Sequence, residues 1–422
     1  MLGFHDELQR RLDLLRGQGL LRELRRVDSP QSPRIEINGR VLLNFSSNDY
    51  LGLANDPRLK EAAVRATEKF GVGAGAARLI CGSLAPHHEL EDALASFKGC
   101  EAALTFSSGY ATALGIICAL VEKDDVLVID KGVHASIVDA ARLSGAKLRV
   151  FAHNDVNDLE GILKWADRRN TQPSATRRPH ILIVTESVFS MHGDQAPLAR
   201  IVELKEKFGA WLMVDEAHAT GLYGQRRRGL AEQFAVSDRI EVQMGTLGKA
   251  LGAAGGYVCG SRVLIDYLIN RARSFIFSTA PPPAVSAAAA AAIQVVRSHD
   301  GEARCQHLWE RVGQIAGARE PLESPGVSPS PQPSPAGRGG ITTENTKQPQ
   351  ASAIMPVVIG GEAKAVEIAR ALYDAGICVP SIRYPTVPRG QAQLRLTVTA
   401  GHTAGEVSQL LAVLDHNLKS EI

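Results

Sequence analysis

Between about residue 57 and residue 281 the chain alternates helical stretches with short apolar runs. The apolar runs are Val126–Ile129, Leu148–Phe151, Ile181–Val184, Trp211–Val214, Val242–Met244 and Gly256–Cys259. Strands that are apolar at every position are typical of a sheet buried on both faces. Strands that alternate with helices form mostly parallel sheets. The pattern therefore predicts an α/β fold in which helices cover a mostly parallel sheet.

The same pattern predicts where the functional site lies. In open α/β sheets, ligands bind beyond the carboxyl ends of the strands. Asp215 and His218 directly follow one apolar run, and His134 follows another. Glu186 and Ser190 follow a third. We therefore expect these side chains to lie at one edge of the sheet.

The first 45 residues predict a separate N-terminal segment. Leucines spaced among arginines predict an amphipathic helix over Leu8–Val27, interrupted near Gly17–Gly19. Asn38-Gly39 stands between two short apolar stretches, which is typical of a β-hairpin. We expect this segment to precede a large domain of residues 46–283.

Residues 284–422 predict a smaller α+β domain at the C-terminus. The predicted elements are an alanine-rich helix after residue 284, a helix at Ala363–Ala375, and strands near Ile354–Ile359 and Gln393–Thr399. The stretch 323–350 is rich in Pro, Ser, Gly and Thr. Such a composition cannot bury a core, so we predict a disordered insertion there.

Charge and composition exclude several classes of function. Lysine plus arginine number 47 and aspartate plus glutamate 45, so the formal net charge is +2. This balance does not support binding to nucleic acid or to an acidic membrane surface. No apolar stretch is long enough to span a bilayer. The 6 cysteines form no Cys-x-x-Cys pair and His87-His88 has no partner at metal spacing, so we expect no metal site and a reducing cytoplasm.

Lys249 is the residue most indicative of chemistry. It lies in the glycine-rich segment Thr246–Gly252 after an apolar run, and Asp215 and His218 follow another run. A lysine amine can form a Schiff base with a cofactor aldehyde, and a carboxylate such as Asp215 can keep a pyridine nitrogen protonated. Taken alone, Lys249 could instead be a solvent-exposed loop lysine, and Asp215 could instead be a helix N-cap.

Several smaller motifs could complete such a site. Ser107-Ser-Gly109-Tyr110 opens a predicted helix, whose free N–H groups could bind a phosphate, although ordinary serine capping is as good an explanation. Further candidates are the hydroxyl groups of Thr246, Ser278 and Thr279, the His134 ring, which could stack on a flat cofactor, and the guanidinium groups of Arg383 and Arg395, which could bind a carboxylate.

Taken together, these segments resemble the α-oxoamine synthases, a fold-type I family that depends on pyridoxal phosphate. The resembling stretches are Ser46–Leu53, Phe151–Asp155, Val188–Met191, Asp215–Gly221, Thr246–Gly252 and Pro385–Pro388. They run in the family's order from about residue 8 to residue 414. The resemblance implies a PLP-dependent transferase with a large domain and a smaller C-terminal domain.

The resemblance also implies a role for each matched residue. Lys249 would hold the cofactor, Asp215 would pair with the ring nitrogen, and His134 would stack on the ring. The other implied cofactor contacts are Glu186, Ser190 and His218 around the ring, Gly109, Tyr110 and Thr246 at the phosphate, and Ser278 and Thr279 from the second subunit of a homodimer. The implied substrate contacts are Arg22, Asn48, Arg383, Thr386 and Arg395, with Arg395 on the amino-acid carboxylate.

The expected activity is the condensation of an amino acid with an acyl thioester, with loss of carbon dioxide. Gly193–Leu198, Ile382–Pro388 and the arginine-rich N-terminal helix resemble the members of the family that act in biotin synthesis. That resemblance implies L-alanine and a pimeloyl thioester, on CoA or acyl-carrier protein, as substrates. Glycine with acetyl- or succinyl-CoA is an alternative, and so is a non-catalytic binding subunit. His192 departs from the family, which usually has Asp at this turn.

Overall fold

The computed structural model describes residues 3–170, 179–319 and 352–419. The predicted insertion at 323–350 lies outside the described residues. The N-terminal segment contains helix α1 (Phe4–Gly17) and strands β1 (Arg34–Ile37) and β2 (Arg40–Asn44).

The hairpin prediction is confirmed and the helix prediction is partly wrong. Asn38 and Gly39 have φ of 52° and 73°, which is typical of the two-residue turn that Asn-Gly favours. Helix α1 ends at Gly17, and the backbone at Gly19 has a φ of +66°, so the helix does not continue toward Val27. The apolar periodicity of this segment does not reflect burial within the chain, because α1 has no buried residue.

The central region contains most of the secondary structure. Its elements are α2 (Pro57–Phe70), α3 (Ala85–Lys98), β3 (Ala102–Phe106), α4 (Gly109–Leu120), β4 (Val126–Asp130), α5 (Ala135–Ser144), β5 (Lys147–Phe151), α6 (Val156–Asn170), β6 (Ile181–Glu186), α7 (Leu198–Lys207), β7 (Trp211–Asp215), α8 (Leu230–Gln233), β8 (Val242–Thr246), β9 (Gly256–Gly260), α9 (Arg262–Arg271) and α10 (Arg273–Ile276). Short helical turns lie at Arg78–Gly82 and Ser237–Arg239.

One seven-stranded sheet organises this region, in the order β3-β9-β8-β7-β6-β4-β5. The neighbouring pairs from β8 to β5 are parallel, whereas β9 runs antiparallel to both β3 and β8. Every residue of β3, β4 and β6 is buried. The predicted mostly parallel sheet is therefore confirmed, and its continuous apolar runs reflect cover on both faces.

The C-terminal region packs against this sheet domain. Its elements are α11 (Pro283–Arg297), α12 (His299–Arg319), β10 (Ile354–Gly360), α13 (Glu362–Asp374), β11 (Ile377–Cys378), β12 (Ser381–Ile382), β13 (Ala392–Thr397) and α14 (Ala404–Lys419). Strands β10, β13 and β12 form an antiparallel sheet, and helix α11 packs on α2 and α3. The boundaries 1–45, 46–283 and 284–422 stay predictions.

The N-terminal hairpin is tied to the C-terminal region by strand pairing. Strand β11 pairs in parallel with β2, where Ile377 lies opposite Leu43. Segments from the two ends of the chain thus share a three-stranded sheet. Within the described ranges, no helix combines the length and the apolar character that crossing a membrane requires.

Candidate active site

Lys249 lies in the tight loop between the antiparallel strands β8 and β9. The loop is closed by hydrogen bonds from Gly252 N to Lys249 O (2.8 Å) and from Ala253 N to Leu247 O (2.9 Å). Gly252 has a φ of +61°, and a Cβ there would lie 2.5 Å from the backbone nitrogen of Ala54. The loop therefore packs directly on the chain after residue 50, and this contact requires glycine.

The Lys249 amine is one end of a chain of hydrogen bonds. Its Nζ lies 2.8 Å from His218 Nε2, and His218 Nδ1 lies 2.7 Å from Tyr50 Oη. Tyr50 Oη in turn lies 3.2 Å from Asn48 Oδ1. Both terminal nitrogens of Arg395 donate to that same oxygen, at 3.2 Å each. The predicted residues Lys249, His218, Asn48 and Arg395 are thus connected through the tyrosine.

The direction of each hydrogen bond follows from the Arg395 end. An amide oxygen only accepts, so the Tyr50 hydroxyl donates to Asn48, and its oxygen accepts from His218 Nδ1–H. Burial lowers the pKa of His218 well below its ordinary value, so this ring is neutral. Its Nε2 then carries no proton and accepts from the Lys249 amine.

Two buried carboxyl groups lie beside this amine. Glu186 ends β6 and Asp215 ends β7, and the two residues are direct neighbours across the parallel strands. Burial raises the pKa of Glu186 to about 8 and also raises the pKa of Asp215. Burial lowers the pKa of Lys249 to about 8, although both carboxylates act in the opposite direction. A larger fraction of this amine than of an ordinary lysine amine is therefore in the nucleophilic neutral form near physiological pH.

His134 and Ser190 complete the ends of the strands. His134 caps helix α5, and its Nδ1 contacts the backbone nitrogen of Ser136 at 3.2 Å. Burial lowers the pKa of His134. The charge of Asp215 raises this pKa, and the charge of Lys249 lowers it. The Ser190 nitrogen donates to Glu186 Oε2 (3.2 Å). The predicted residues after β4, β6 and β7 thus converge at the carboxyl edge of the sheet, as expected.

The amino end of helix α4 lies next to β8 and β9. A Cβ at Gly256 would lie 2.7 Å from the backbone nitrogen of Gly109, and a Cβ at Gly109 would lie 3.7 Å from Thr246. The N–H groups of Gly109 and Tyr110 come before the first hydrogen bond within the helix, so they are free to bind an anion. The Tyr110 hydroxyl already donates to Asp139 Oδ2 (2.7 Å).

Within the described ranges, the remaining predicted residues make no hydrogen bond to Lys249. Among the described contacts, Ser278 bonds only to the carbonyl of its neighbour Thr279, and Arg22 is exposed. Arg383 donates from its Nη1 to the carbonyl oxygen of Gly19, and its own carbonyl accepts from Thr386 N (3.0 Å). The structure therefore brings the Arg383 loop to the segment that precedes Arg22.

The residues present fit pyridoxal phosphate. Glu186 Oε1 is buried and accepts no hydrogen bond within the described residues, and Asp215 lies beside it, so a cationic ring nitrogen would be stabilised there. The Lys249 amine suits an aldehyde, and the free N–H groups at the start of α4 suit a phosphate.

Tyr50 is the site residue that sequence reasoning missed. It is 1% exposed, and a buried aromatic residue after β2 is indistinguishable in sequence from a core residue. Its position in the resembling stretch Ser46–Leu53 was the available signal. Only the fold places its hydroxyl against His218, because the two residues lie far apart in the chain.

Known proteins that are similar to this chain indicate its family. Residues 40–414 match the aminotransferase class I and II family. An 8-amino-7-oxononanoate synthase of Geotalea daltonii is 45% identical over 405 residues, which cover 96% of each chain.

Solved structures give the same family. Serine palmitoyltransferase from S. paucimobilis, solved with bound PLP, superposes with a TM-score of 0.85 at 29% identity, covering 98% of this chain and 97% of that chain. An 8-amino-7-oxononanoate synthase from Francisella tularensis gives 0.71 at 27% identity, covering 90% of this chain and 98% of that chain. The chain therefore belongs to the aminotransferase class I and II family and, within it, to the α-oxoamine synthases, which are acyltransferases that use pyridoxal phosphate.

Proposed function

We propose that this protein condenses L-alanine with a pimeloyl thioester to give 8-amino-7-oxononanoate, with release of carbon dioxide and of the thiol carrier, in biotin biosynthesis. The name of the Geotalea daltonii relative, which is similar over nearly the whole chain, supports this activity. The observation that carries the proposal is the connection between Arg395, a carboxylate-binding side chain, and the nucleophilic amine of Lys249.

Bound pyridoxal phosphate supplies an aldehyde that captures an amino group and a ring that accepts electron density from the α-carbon. In our proposal Asp215, with Glu186 beside it, holds the proton on the ring nitrogen. Helix α4 would hold the phosphate through the N–H groups of Gly109 and Tyr110, with Thr246 next to them. His134 would stack on the ring, and Ser190 and His218 would contact its hydroxyl side.

The chain's own groups then handle the substrates. Arg395 and Asn48 hold the carboxylate of alanine, because a guanidinium and an amide can donate to both of its oxygens. The neutral Lys249 amine takes the α-proton, as its lowered pKa allows, and returns a proton at the end of the cycle. His134 is placed to donate a proton to the acyl carbonyl oxygen.

We assign the acyl thioester to the side of the site that faces the N-terminal segment. Arg383 joins this segment to the loop that contains Thr386, and Arg22 follows three residues after the Gly19 carbonyl. Two guanidinium groups suit the phosphates of coenzyme A. We further propose a cytoplasmic homodimer, in which Ser278 and Thr279 of the second subunit reach the cofactor phosphate.

The test is a thiol-release assay on the purified protein with a panel of amino acids and acyl thioesters. Release with L-alanine and pimeloyl-CoA, with 8-amino-7-oxononanoate identified by mass spectrometry, is the expected result. Release only with glycine and acetyl- or succinyl-CoA, or only with serine, would replace the proposed substrates. The Lys249→Ala variant is the control and should lose turnover.

A second outcome bears on whether the protein is an enzyme at all. A binding subunit without catalysis would take up pyridoxal phosphate or remain colourless, but it would release no thiol with any pair. Analytical ultracentrifugation of the same preparation measures the oligomeric state. A monomer with full activity would contradict the assignment of Ser278 and Thr279 to a shared site.

A further inference from the structure

A cluster of metal-ligating side chains lies beside the turn that follows β6. One potential ligand atom from each of His153, His192 and Asp194 lies within 4.8 Å of the others. We propose that these three residues, here named the His192 cluster, bind a divalent transition-metal ion such as Zn²⁺. Imidazole and carboxylate are ligands that zinc accepts, and a water would fill the fourth position.

His153 is already oriented as a metal-binding histidine is. Its Nδ1 lies 2.8 Å from Asp130 Oδ1, and that buried carboxylate also accepts from the backbone nitrogens of Gly132 (2.6 Å) and Asn154 (2.9 Å). Metal-binding histidines characteristically donate their second ring nitrogen to a fixed carboxylate in this way. The Nε2 of His153 is thereby directed toward Asp194 Oδ2, at 2.7 Å.

Asp194 offers an oxygen that lacks a donor. Its Oδ2 is bonded by His153 and by Asn154 Nδ2 (2.8 Å), but its Oδ1 is buried and has no hydrogen-bond partner among the residues that the structure describes. Within the same part of the chain, the Oδ1 of Asn154 is also buried and has no partner. Unpaired buried acceptors cost free energy, and a cation at the cluster would satisfy the Asp194 oxygen.

The two imidazole rings are spaced as ligands of one ion. Their centroids lie 5.8 Å apart with 41° between the ring planes. Two imidazoles at Zn–N distances of about 2.0 Å and tetrahedral angles have centroids about 5 Å apart. His192 is exposed, so its side chain can rotate to close this small gap. The proton between His153 and Asp194 leaves to solvent when the ion takes its place.

An ion at this position would be coupled to the candidate active site through the backbone. The carbonyl of Ser190 accepts from Arg395 Nε (2.7 Å), and the carbonyl of Met191 accepts from Gln393 Nε2 (2.8 Å). His192 and Asp194 follow directly in the same turn. A bound ion would therefore fix the turn on which the Arg395 side chain rests.

The proposal differs from the expectation of no metal, which considered the cysteines and His87-His88. The three ligands come from two loops, and Asp130 comes from the end of a third element. Of the three ligands, His192 and Asp194 are near each other in sequence and His153 is distant. The spacing of these residues in the sequence therefore does not predict the cluster. The substitution of His for the family's usual Asp at 192 supplies the additional nitrogen.

The test is calorimetric titration of the full-length protein, loaded with pyridoxal phosphate and free of thioester substrates, with ZnCl₂. We expect one site whose affinity falls at least 10-fold in His192→Ala. His299→Ala, which removes a fully exposed histidine elsewhere, is the matched control and should bind as the parent does. Asp130→Asn should weaken binding by about 10–100-fold, as is usual for groups that orient a metal ligand.

X-ray absorption of the zinc-loaded protein provides the second measurement. Coordination by two imidazoles and oxygen is expected, and sulfur coordination would assign the ion to cysteine, such as the exposed Cys81. Equal affinity in the parent and His192→Ala, or no saturable binding in the parent, would overturn the proposal. Because His192 is exposed, its replacement leaves folding intact, and thermal unfolding without zinc verifies this.

Discussion

The Nζ of Lys249 lies 2.8 Å from the Nε2 of His218, and the imidazole at that contact is neutral. His218 cannot accept a proton readily, because burial and the charges of Lys249 and Arg395 all lower its pKa. It therefore orients the amine rather than deprotonating it. The proton of Lys249 must instead be lost to solvent or substrate, and burial makes this loss easier.

The first prediction concerns the pH dependence of Lys249. An amine with a lowered pKa is charged and unreactive below that pKa and becomes neutral above it. We expect the labelling rate of Lys249 in the cofactor-free protein to rise with a midpoint near pH 8. Quantitative mass spectrometry after amine-specific labelling measures this. A midpoint near 10.4, the ordinary pKa of a free lysine analogue labelled in parallel, would show that burial does not activate the amine.

Replacing Tyr50 with Phe should impair the site without emptying the core. The variant leaves the His218 Nδ1–H without its acceptor, at a cost of about 1–3 kcal/mol in the free energy of unfolding. The imidazole can then turn or change tautomer, so the labelling midpoint of Lys249 should shift and turnover should fall.

Tyr257→Phe is the matched control for Tyr50. Its hydroxyl is also buried and lies 2.7 Å from Thr220 Oγ1, outside the chain of hydrogen bonds that ends at Lys249. The Tyr257→Phe variant should lose a comparable free energy of unfolding, but the pH midpoint of Lys249 labelling should not change. Equal midpoints in the parent and both variants would mean that Tyr50 serves packing alone.

Arg395→Lys should reduce binding of the amino acid. A lysine retains the charge but not the two parallel donors, and it cannot also reach Asn48 and the Ser190 carbonyl. Loss of one charge-assisted hydrogen bond of about 1.5–3 kcal/mol corresponds to a KM for alanine about 10- to 150-fold higher. Steady-state kinetics with a saturating thioester measures this. An unchanged KM for alanine would remove Arg395 from the carboxylate site.

Gly252→Ala should destabilise the loop that holds Lys249. The left-handed backbone at this position costs a non-glycine residue about 1–2 kcal/mol, and the new Cβ would also meet the backbone of Leu53 and Ala54 at 2.5 Å. Gly145→Ala is the control, because Gly145 also has a left-handed backbone, with φ of 71° and ψ of 1°, and has no atom within 4 Å of a Cβ. The thermal unfolding midpoint should fall clearly further for Gly252→Ala. Equal decreases would show that the loop relaxes around the methyl group.

Local patterns predict much of the fold. Continuous apolar runs predict β4, β6 and β7, because a strand that is buried on both faces has apolar residues at nearly every position. The Asn38-Gly39 turn needs positive φ at both residues, and few other pairs provide it. The antiparallel direction of β9 cannot be predicted in this way, because a buried strand has the same apolar pattern whether its neighbours are parallel or antiparallel.

The site is predictable in part for the same reason. Asp215, Glu186 and His134 follow strands, and the parallel sheet brings the ends of those strands together. Contacts between distant segments are not predictable from such patterns. Arg395 reaches Asn48 across the contact between the C-terminal sheet and the strand domain, and Tyr50 reaches His218 across 168 residues of chain. The predicted interruption near Gly17–Gly19 coincides with the end of α1, whereas the predicted continuation of the helix to Val27 is wrong.

The pairing of β2 with β11 has a consequence for synthesis on the ribosome. The hairpin at the start of the chain leaves the exit tunnel early, yet the strand that completes its sheet is translated roughly 330 residues later, tens of seconds at ordinary elongation rates. Until then the outer edge of β2 offers unpaired backbone groups to other nascent chains. The three-stranded sheet thus cannot be completed until the segment around Ile377 has emerged.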